Sequence, residues 1–144
     1  MLAACQSSGE YNSNNNSNKD LLIGHIRIEE HTLYLDEIEW ITEEDEDRIK
    51  ELHLSQQADM PNGYYIHNPT TEIASYQLND QTVYHFIDWG NDFVGENENR
   101  NHTTNSLEEF NRYLNTYSDK GAKLLFWVET QGDEVLSVNE QFIN

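Results

Sequence analysis

The chain is expected to fold as an α+β domain: a mainly antiparallel sheet, curled or closed into a small β-barrel, carrying two short helices in the order ββαβββαββ. Three observations carry this expectation. Apolar residues alternate with period two at both ends of the domain, two stretches begin with helix-start signals, and turn-forming clusters punctuate the rest. With 144 residues, 36% of them hydrophobic, there is material for one small core and not two.

Leu22, Gly24, Ile26 and Ile28 share one face of a first strand, with His25, Arg27 and Glu29 on the other. A turn at Glu30-His31-Thr32 leads to a second strand and makes a hairpin. In that strand Leu33 and Leu35 hold one phase and Ile38 and Trp40 the opposite one, which predicts a bulge at Asp36-Glu37. Thr42 is placed to cap a helix whose first turn is acidic, Glu43 to Asp47, and which turns Ile49, Leu52 and His53 inward. Met60-Pro61-Asn62-Gly63 is a turn, and Tyr64 to His67 a short strand ending at Asn68-Pro69. Two more strands, Ile73 to Leu78 and Thr82 to Asp88, flank Asn79-Asp80-Gln81. Residues 90–105 are rich in Asn and Glu and read as a long loop. Ser106-Leu107-Glu108-Glu109 has the form of a capping box. It opens a helix, ending near Ser118, whose stripe is Leu107, Phe110 and Leu114 with Tyr113 and Tyr117 beside it. The last hairpin pairs Leu124 to Thr130 with Val135 to Phe142, Leu136, Val138 and Phe142 sharing a phase. Phe110 and Trp127 are expected as core rings.

The globular domain is bounded at residues 21–144. Residues 6–20 are dominated by Asn and Ser, hold no aliphatic side chain and read as a flexible tether, because they cannot bury enough surface to offset the entropy of ordering. Residues 1–5 end in Leu2-Ala3-Ala4-Cys5, the form of a bacterial lipobox: an aliphatic residue, two small ones at the cleavage site, then the cysteine whose thiol takes the lipid. Only Met1 precedes Leu2, so the basic and apolar leader segments are expected upstream in the gene. This reading makes the chain a lipoprotein whose membrane partner is reached through an acyl anchor on Cys5. The domain would then lie on the extracytoplasmic face of the cell membrane.

Eight Lys and Arg stand against 27 Asp and Glu, a formal charge of −19, which argues against nucleic acid and anionic lipid as partners. The single cysteine excludes an internal disulfide framework and any multi-cysteine zinc site.

Gly24, then Leu33-Tyr34-Leu35-Asp36-Glu37-Ile38-Glu39-Trp40-Ile41, Asn62-Gly63-Tyr64-Tyr65-Ile66-His67-Asn68, Phe86-Ile87-Asp88-Trp89, Phe126-Trp127-Val128-Glu129 and Val138-Asn139-Glu140-Gln141-Phe142 follow one another in order. Over residues 22–143 this succession resembles a group of uncharacterised secreted proteins and lipoproteins of Gram-positive bacteria. That group is expected to carry a G-x-[VI] first strand, a YYIxN strand, an aspartate closing a V-x-x-x-D strand and an I-x-E-Q-Y final strand. Phe142 stands where a tyrosine is expected, and Gly121-Ala122-Lys123 lacks an expected proline. The resemblance implies location and fold and adds nothing about chemistry.

No nucleophile elbow or phosphate loop is present in the sequence, and no cofactor is implied. His25, His31, His67 and His85 could meet across strands, but the cation of Arg27 on the same face as His25 argues against a metal there. Asp88 and Glu140 are the carboxylates best placed beside buried aromatics, where such a pair can act as general acid and base. The alternative is that each fixes a strand end by accepting hydrogen bonds. Asp88-Trp89-Gly90-Asn91-Asp92, with Glu96 and Glu98, offers oxygens for calcium, yet Gly90 falls at the wrong position for the D-x-[DN]-x-[DN]-G loop, so Asp88 is expected to close an Asx turn instead. Tyr64, Tyr65, Asp88 and Trp89 are the candidate ligand-binding residues, since rings beside a polar group suit peptide, glycan or lipid-headgroup recognition. Two functions are thus expected: a monomeric, non-enzymatic module binding a cell-envelope ligand or protein, or an extracytoplasmic hydrolase using Asp88 or Glu140.

Overall fold

A computed structural model of the chain describes residues 19–90, 93 and 100–143. The lipobox, most of the tether, and Asn91, Asp92, Glu96 and Glu98 lie outside the described residues. Strand β1 (Lys19–Glu29) pairs on one side with β2 (Thr32–Glu37) through the expected hairpin, Ile26 opposite Leu35 and Ile28 opposite Leu33. On its other side it pairs with β8 (Leu125–Gln131), Leu22 opposite Val128 and Gly24 opposite Phe126. Gly24 sits where both partners bond it. A Cβ there would lie 2.2 Å from the main-chain oxygen of Asp36, so only glycine lets the strands approach.

β9 (Glu134–Gln141) returns from β8 across a tight turn with Gly132 at φ 62°. Thr130 faces Val135 but Glu129 faces Ser137, leaving Leu136 as the extra residue of a bulge. The inward phase is therefore Val135 and Val138, both fully buried, whereas Leu136 is half-buried and Phe142 is 51% exposed. This corrects the expected Leu136, Val138, Phe142 face. β6 (Val83–Ile87) adds to β9 in parallel, and β7 (Asn101–Thr104) pairs antiparallel with β6, so a strand occupies part of the expected 90–105 loop. β5 (Ala74–Gln77) pairs with β2 and meets β9 at Gln77 and Glu134. The result is a seven-stranded, mostly antiparallel mixed sheet in the order β5-β2-β1-β8-β9-β6-β7.

The phase change after Leu35 comes from a change of sheet. At Ile38, whose N–H donates to Ile23 O at 2.9 Å, the chain leaves the large sheet, and β3 (Glu39–Thr42) pairs with β4 (Tyr64–His67) as a separate two-stranded sheet. No bulge at Asp36-Glu37 is needed. α1 (Glu46–Glu51) starts later than expected because the Thr42 N–H donates to Asp45 Oδ2 at 2.8 Å, which makes Thr42 the donor and Asp45 the flanking residue. Ile49 and Leu52 are half-buried but His53 is exposed, at φ 56° beyond the helix end. A further turn, α2 (Gln56–Asp59), is capped by Ser55. α3 (Leu107–Leu114) begins as expected, with Ser106 Oγ accepting from Glu109 N–H at 3.1 Å. Its box stays half-made, because the Glu109 carboxylate turns to His102, 3.2 Å away, rather than to Ser106. Among the described residues the order is βββααββββαββ, with three helices rather than two.

Burial divides the interior in two. α3 covers one face of the large sheet, where Phe110, Tyr113 and Leu114 meet Ile26, Leu33, Leu35, Tyr84, Phe86, Phe126, Val128, Val135 and Val138. The smaller cluster, Ile23, Ile38 and Leu125, is flanked by Trp40, Ile66 and Trp127. Trp127 is thus a half-buried ring whose Nε1–H donates to Gln141 Oε1 at 2.8 Å, unlike the fully buried Phe110.

Candidate functional site

Asp88 and Glu140 are brought to the same end of β6, each bonded to main chain. Asp88 is fully buried just after the strand. Its Oδ1 accepts from Gly90 N–H and its Oδ2 from Phe93 N–H, both at 3.0 Å, while its own N–H donates to Arg100 O at 2.7 Å. This is an Asx-type closure. It holds Phe93 in the aromatic cluster, where the ring meets Phe86 edge to face at 5.0 Å.

The β6–β9 parallel ladder runs from Val83↔Ser137 to His85↔Asn139. The next amide, Ile87 N–H, donates instead to Glu140 Oε1 at 3.1 Å, and the same oxygen accepts from the Tyr113 hydroxyl at 2.6 Å. Tyr113 and Tyr117 hydroxyls lie 3.3 Å apart, one helical turn along α3. Glu140 reaches Tyr113 because it faces Phe126 across β8–β9 and so points to the side covered by α3. Burial holds the Glu140 carboxyl above the ordinary range, against the opposing pull of the Tyr113 and Ile87 hydrogen bonds and of His85. Burial also pushes the Tyr113 phenol far up, helped by the acceptor carboxylate beside it. The arrangement can keep a proton between a carboxyl and a phenol. It also ties helix to sheet.

A second carboxylate contact borders the cluster. Glu109 meets His102 on β7, whose ring lies 5.2 Å from that of Phe86. Burial raises the Glu109 pKa, but hydrogen bonds from Thr104 and His102 and the charges of His102 and Arg112 outweigh it, and the carboxyl ends below its usual value.

The four ligand candidates fall in two places. Tyr64 stacks on Trp40 in the two-stranded sheet, ring centroids 4.5 Å apart, and Tyr65 on the same strand faces Ile41 in the pairing with β3. Asp88 and Trp89 follow β6 of the large sheet, and Trp89, 56% exposed, lies 5.9 Å from the exposed ring of Phe142. The histidines are dispersed over β1, the first turn, β4 and β6. His25 Nδ1 lies 3.1 Å from Leu124 O and His85 Nδ1 lies 2.8 Å from Thr103 Oγ1. Among the described residues no three His, Cys, Asp or Glu side chains converge as a metal site, and no helix is long and apolar enough to cross a membrane. Cys5 lies outside the described residues.

Sequence reasoning missed Tyr113 as the partner of Glu140 and Tyr117 as the partner of Tyr113, reading both only as the edge of a helical stripe. Their spacing of four residues was the available signal. Comparison of the chain with protein-family models, characterised proteins and solved structures finds no match in any of the three.

Proposed function

We propose that the chain is a lipid-anchored, extracytoplasmic, non-enzymatic module that binds a cell-envelope ligand or protein. It would be held to the membrane through Cys5 and belong with the secreted proteins and lipoproteins of Gram-positive bacteria that its strands resemble. The observation that carries the reading is Leu2-Ala3-Ala4-Cys5 directly before a polar tether, with the first strand opening at Lys19 where that tether ends. Two acyl chains, each contributing about 0.8 kcal/mol per buried methylene, give firm attachment without a spanning helix. The same reading takes the ring β5-β2-β1-β8-β9, in which β5 meets β9, as a small five-stranded barrel.

The hydrolase reading has one observation in its favour, the raised Glu140 carboxyl beside Tyr113. Against it, Asp88 and Glu140 are both engaged by main-chain amides, as loop and helix anchors are. In cells expressing the chain from its own gene, labelled palmitate should appear on the wild type, which partitions into detergent. Cys5→Ala should lose the label and remain in the aqueous phase. Recovery of Cys5→Ala in the detergent phase to the wild-type extent would refute the anchor.

A further inference from the structure

A cleft of about 360 Å³ lies between β1 and the back of α3, floored by Ile26, Ile28 and Leu114. Asn111 and Asn115 line one wall and also line an adjoining cleft toward His31. These two adjoining clefts make one groove along α3, whereas Asp36 lines a separate cleft of about 300 Å³ with His25, Arg27 and Tyr34, on the face of β1 and β2 away from α3.

Two independent features of this groove suit a polar partner. Neither Asn111 nor Asn115 has a side-chain hydrogen bond among the described residues, although each amide offers both a donor and an acceptor. Asn111 lies on α3 and Asn115 caps its C-terminal end, one turn on, in helical backbone conformation; side chains so spaced stand roughly 5–6 Å apart at Cβ, close to the two-residue repeat of an extended chain at about 3.3 Å per residue. Successive amides can therefore grip alternate main-chain units.

Lys120 is the second feature. It is one of only eight basic residues in a chain of −19, it lines the cleft, and no carboxylate lies within ion-pair distance of it among the described residues. It also holds φ 58°, a conformation in which Gly or Asn is cheaper, directly before Gly121 at φ 76°. A lysine kept there at conformational cost fits a role for its ammonium. Arg27, by contrast, is already paired with Glu29 and covers the Tyr34 ring at 4.3 Å, and Asp119 in the same wall accepts from Gly121 N–H.

We propose that this groove binds an extended peptide with aliphatic side chains and a free terminal carboxylate, Asn111 and Asn115 holding its main chain and Lys120 its carboxylate. A peptide fits better than a glycan because the floor is aliphatic and, among the described residues, no Phe, Tyr or Trp lines the groove. The assignment rests on the binding-module part of the reading above and is independent of the lipid anchor.

The test uses the full chain, ¹⁵N-labelled, titrated with N-acetyl-Ala-Leu-Ala, with its C-terminal amide and with glucuronic acid. The free acid should give saturable shifts at the Asn111 and Asn115 side-chain amides and at Gly121. The amide should bind about ten-fold more weakly, the size of one lost charge-assisted hydrogen bond. Lys120→Gly should bring the acid down to the level of the amide without lowering the melting temperature, since glycine relieves the backbone. Asn111→Ala should weaken acid and amide alike. The proposal is overturned by absence of saturable shifts up to about 10 mM, a Kd weaker than any specific site here would give. Equal binding of acid and amide, or glucuronic acid producing the same shifts at equal or lower concentration, would also overturn it. Cleavage of the peptide would overturn the non-enzymatic reading and leave the site standing, whereas missing shifts remove the site and leave the anchor untouched.

Discussion

Replacing Asp88 tests whether the end of β6 is a structural closure or a ligand site. The buried carboxylate serves two amides at 3.0 Å, those of Gly90 and Phe93. In Asp88→Ala both lose their acceptor. The Phe93 N–H bond is buried, so its loss costs about 1–3 kcal/mol, while the Gly90 N–H bond is only part-buried and costs about 0.5–1.5 kcal/mol. The sum is about 1.5–4.5 kcal/mol, or a melting temperature lower by about 10 °C in a domain of this size. Asp88→Asn keeps one oxygen and turns an NH₂ toward the other amide, so about half of that loss is expected. Urea denaturation followed by tryptophan fluorescence gives both values, with an unchanged m-value confirming that the denatured state is the same. Calcium should raise the melting temperature no more than sodium chloride of equal ionic strength. Equal damage from Asn and Ala would refute the hydrogen-bond accounting. A saturable micromolar calcium response that vanishes in Asp88→Asn would turn the closure into a metal loop.

Other perturbations separate the remaining contacts. Tyr113→Phe removes the 2.6 Å hydrogen bond to Glu140 and should cost about 1.5–3 kcal/mol in a chemical melt, the range for a bond to a charged group. Because the fold raises the Glu140 carboxyl, it favours the protonated form. That contribution is full below the ordinary Glu pKa and is lost as pH rises through the raised value, so Glu140→Gln should flatten this part of the stability profile. A slope unchanged in Glu140→Gln would assign it to another group. Phe110→Ala empties a fully buried site and should cost roughly 3–5 kcal/mol, with half-buried Trp127→Ala clearly less damaging; the reverse order in denaturation midpoints would contradict the two-cluster interior.

What was legible in the sequence is what local chemistry decides. The hairpins β1–β2 and β8–β9 announce themselves because one buried face imposes period two, and α3 because Ser106 and the Phe110 stripe agree on its start and its face. β7 was illegible for a physical reason. Asn101-His102-Thr103-Thr104 has no aliphatic residue, and it is a strand because it lies at the sheet edge and its main chain completes β6, a partner 14 residues or more away in sequence. Leu136 misled for a related reason. A bulge shifts phase without changing any local preference, and only the pairing with Glu129 and Thr130 reveals it. Ile38 is similar, since a change of sheet and a bulge produce the same alternation in the chain.

The candidate carboxylates divide along the same line. Asp88 could be read as an Asx closure because the N–H groups that donate to it lie two and five residues ahead, within the reach of local reasoning. Glu140 could not, because its partners arrive from α3 and from a parallel strand 53 residues earlier. This difference bears on function. A side chain can recognise a ligand only with hydrogen-bonding capacity that the fold leaves unused, and at the β6 end Asp88 and Glu140 both already serve amides of their own chain. The other side of α3 is the reverse case. Tyr113 and Phe110 point into the core while Asn111 and Asn115, the latter at the C-terminal end of the same helix, line the cleft beside β1 with no side-chain hydrogen bond among the described residues. The stripe that makes the helix amphipathic thus divides structural polar groups from available ones. It also directs the search for a ligand away from the buried acids and toward the groove that Lys120 closes.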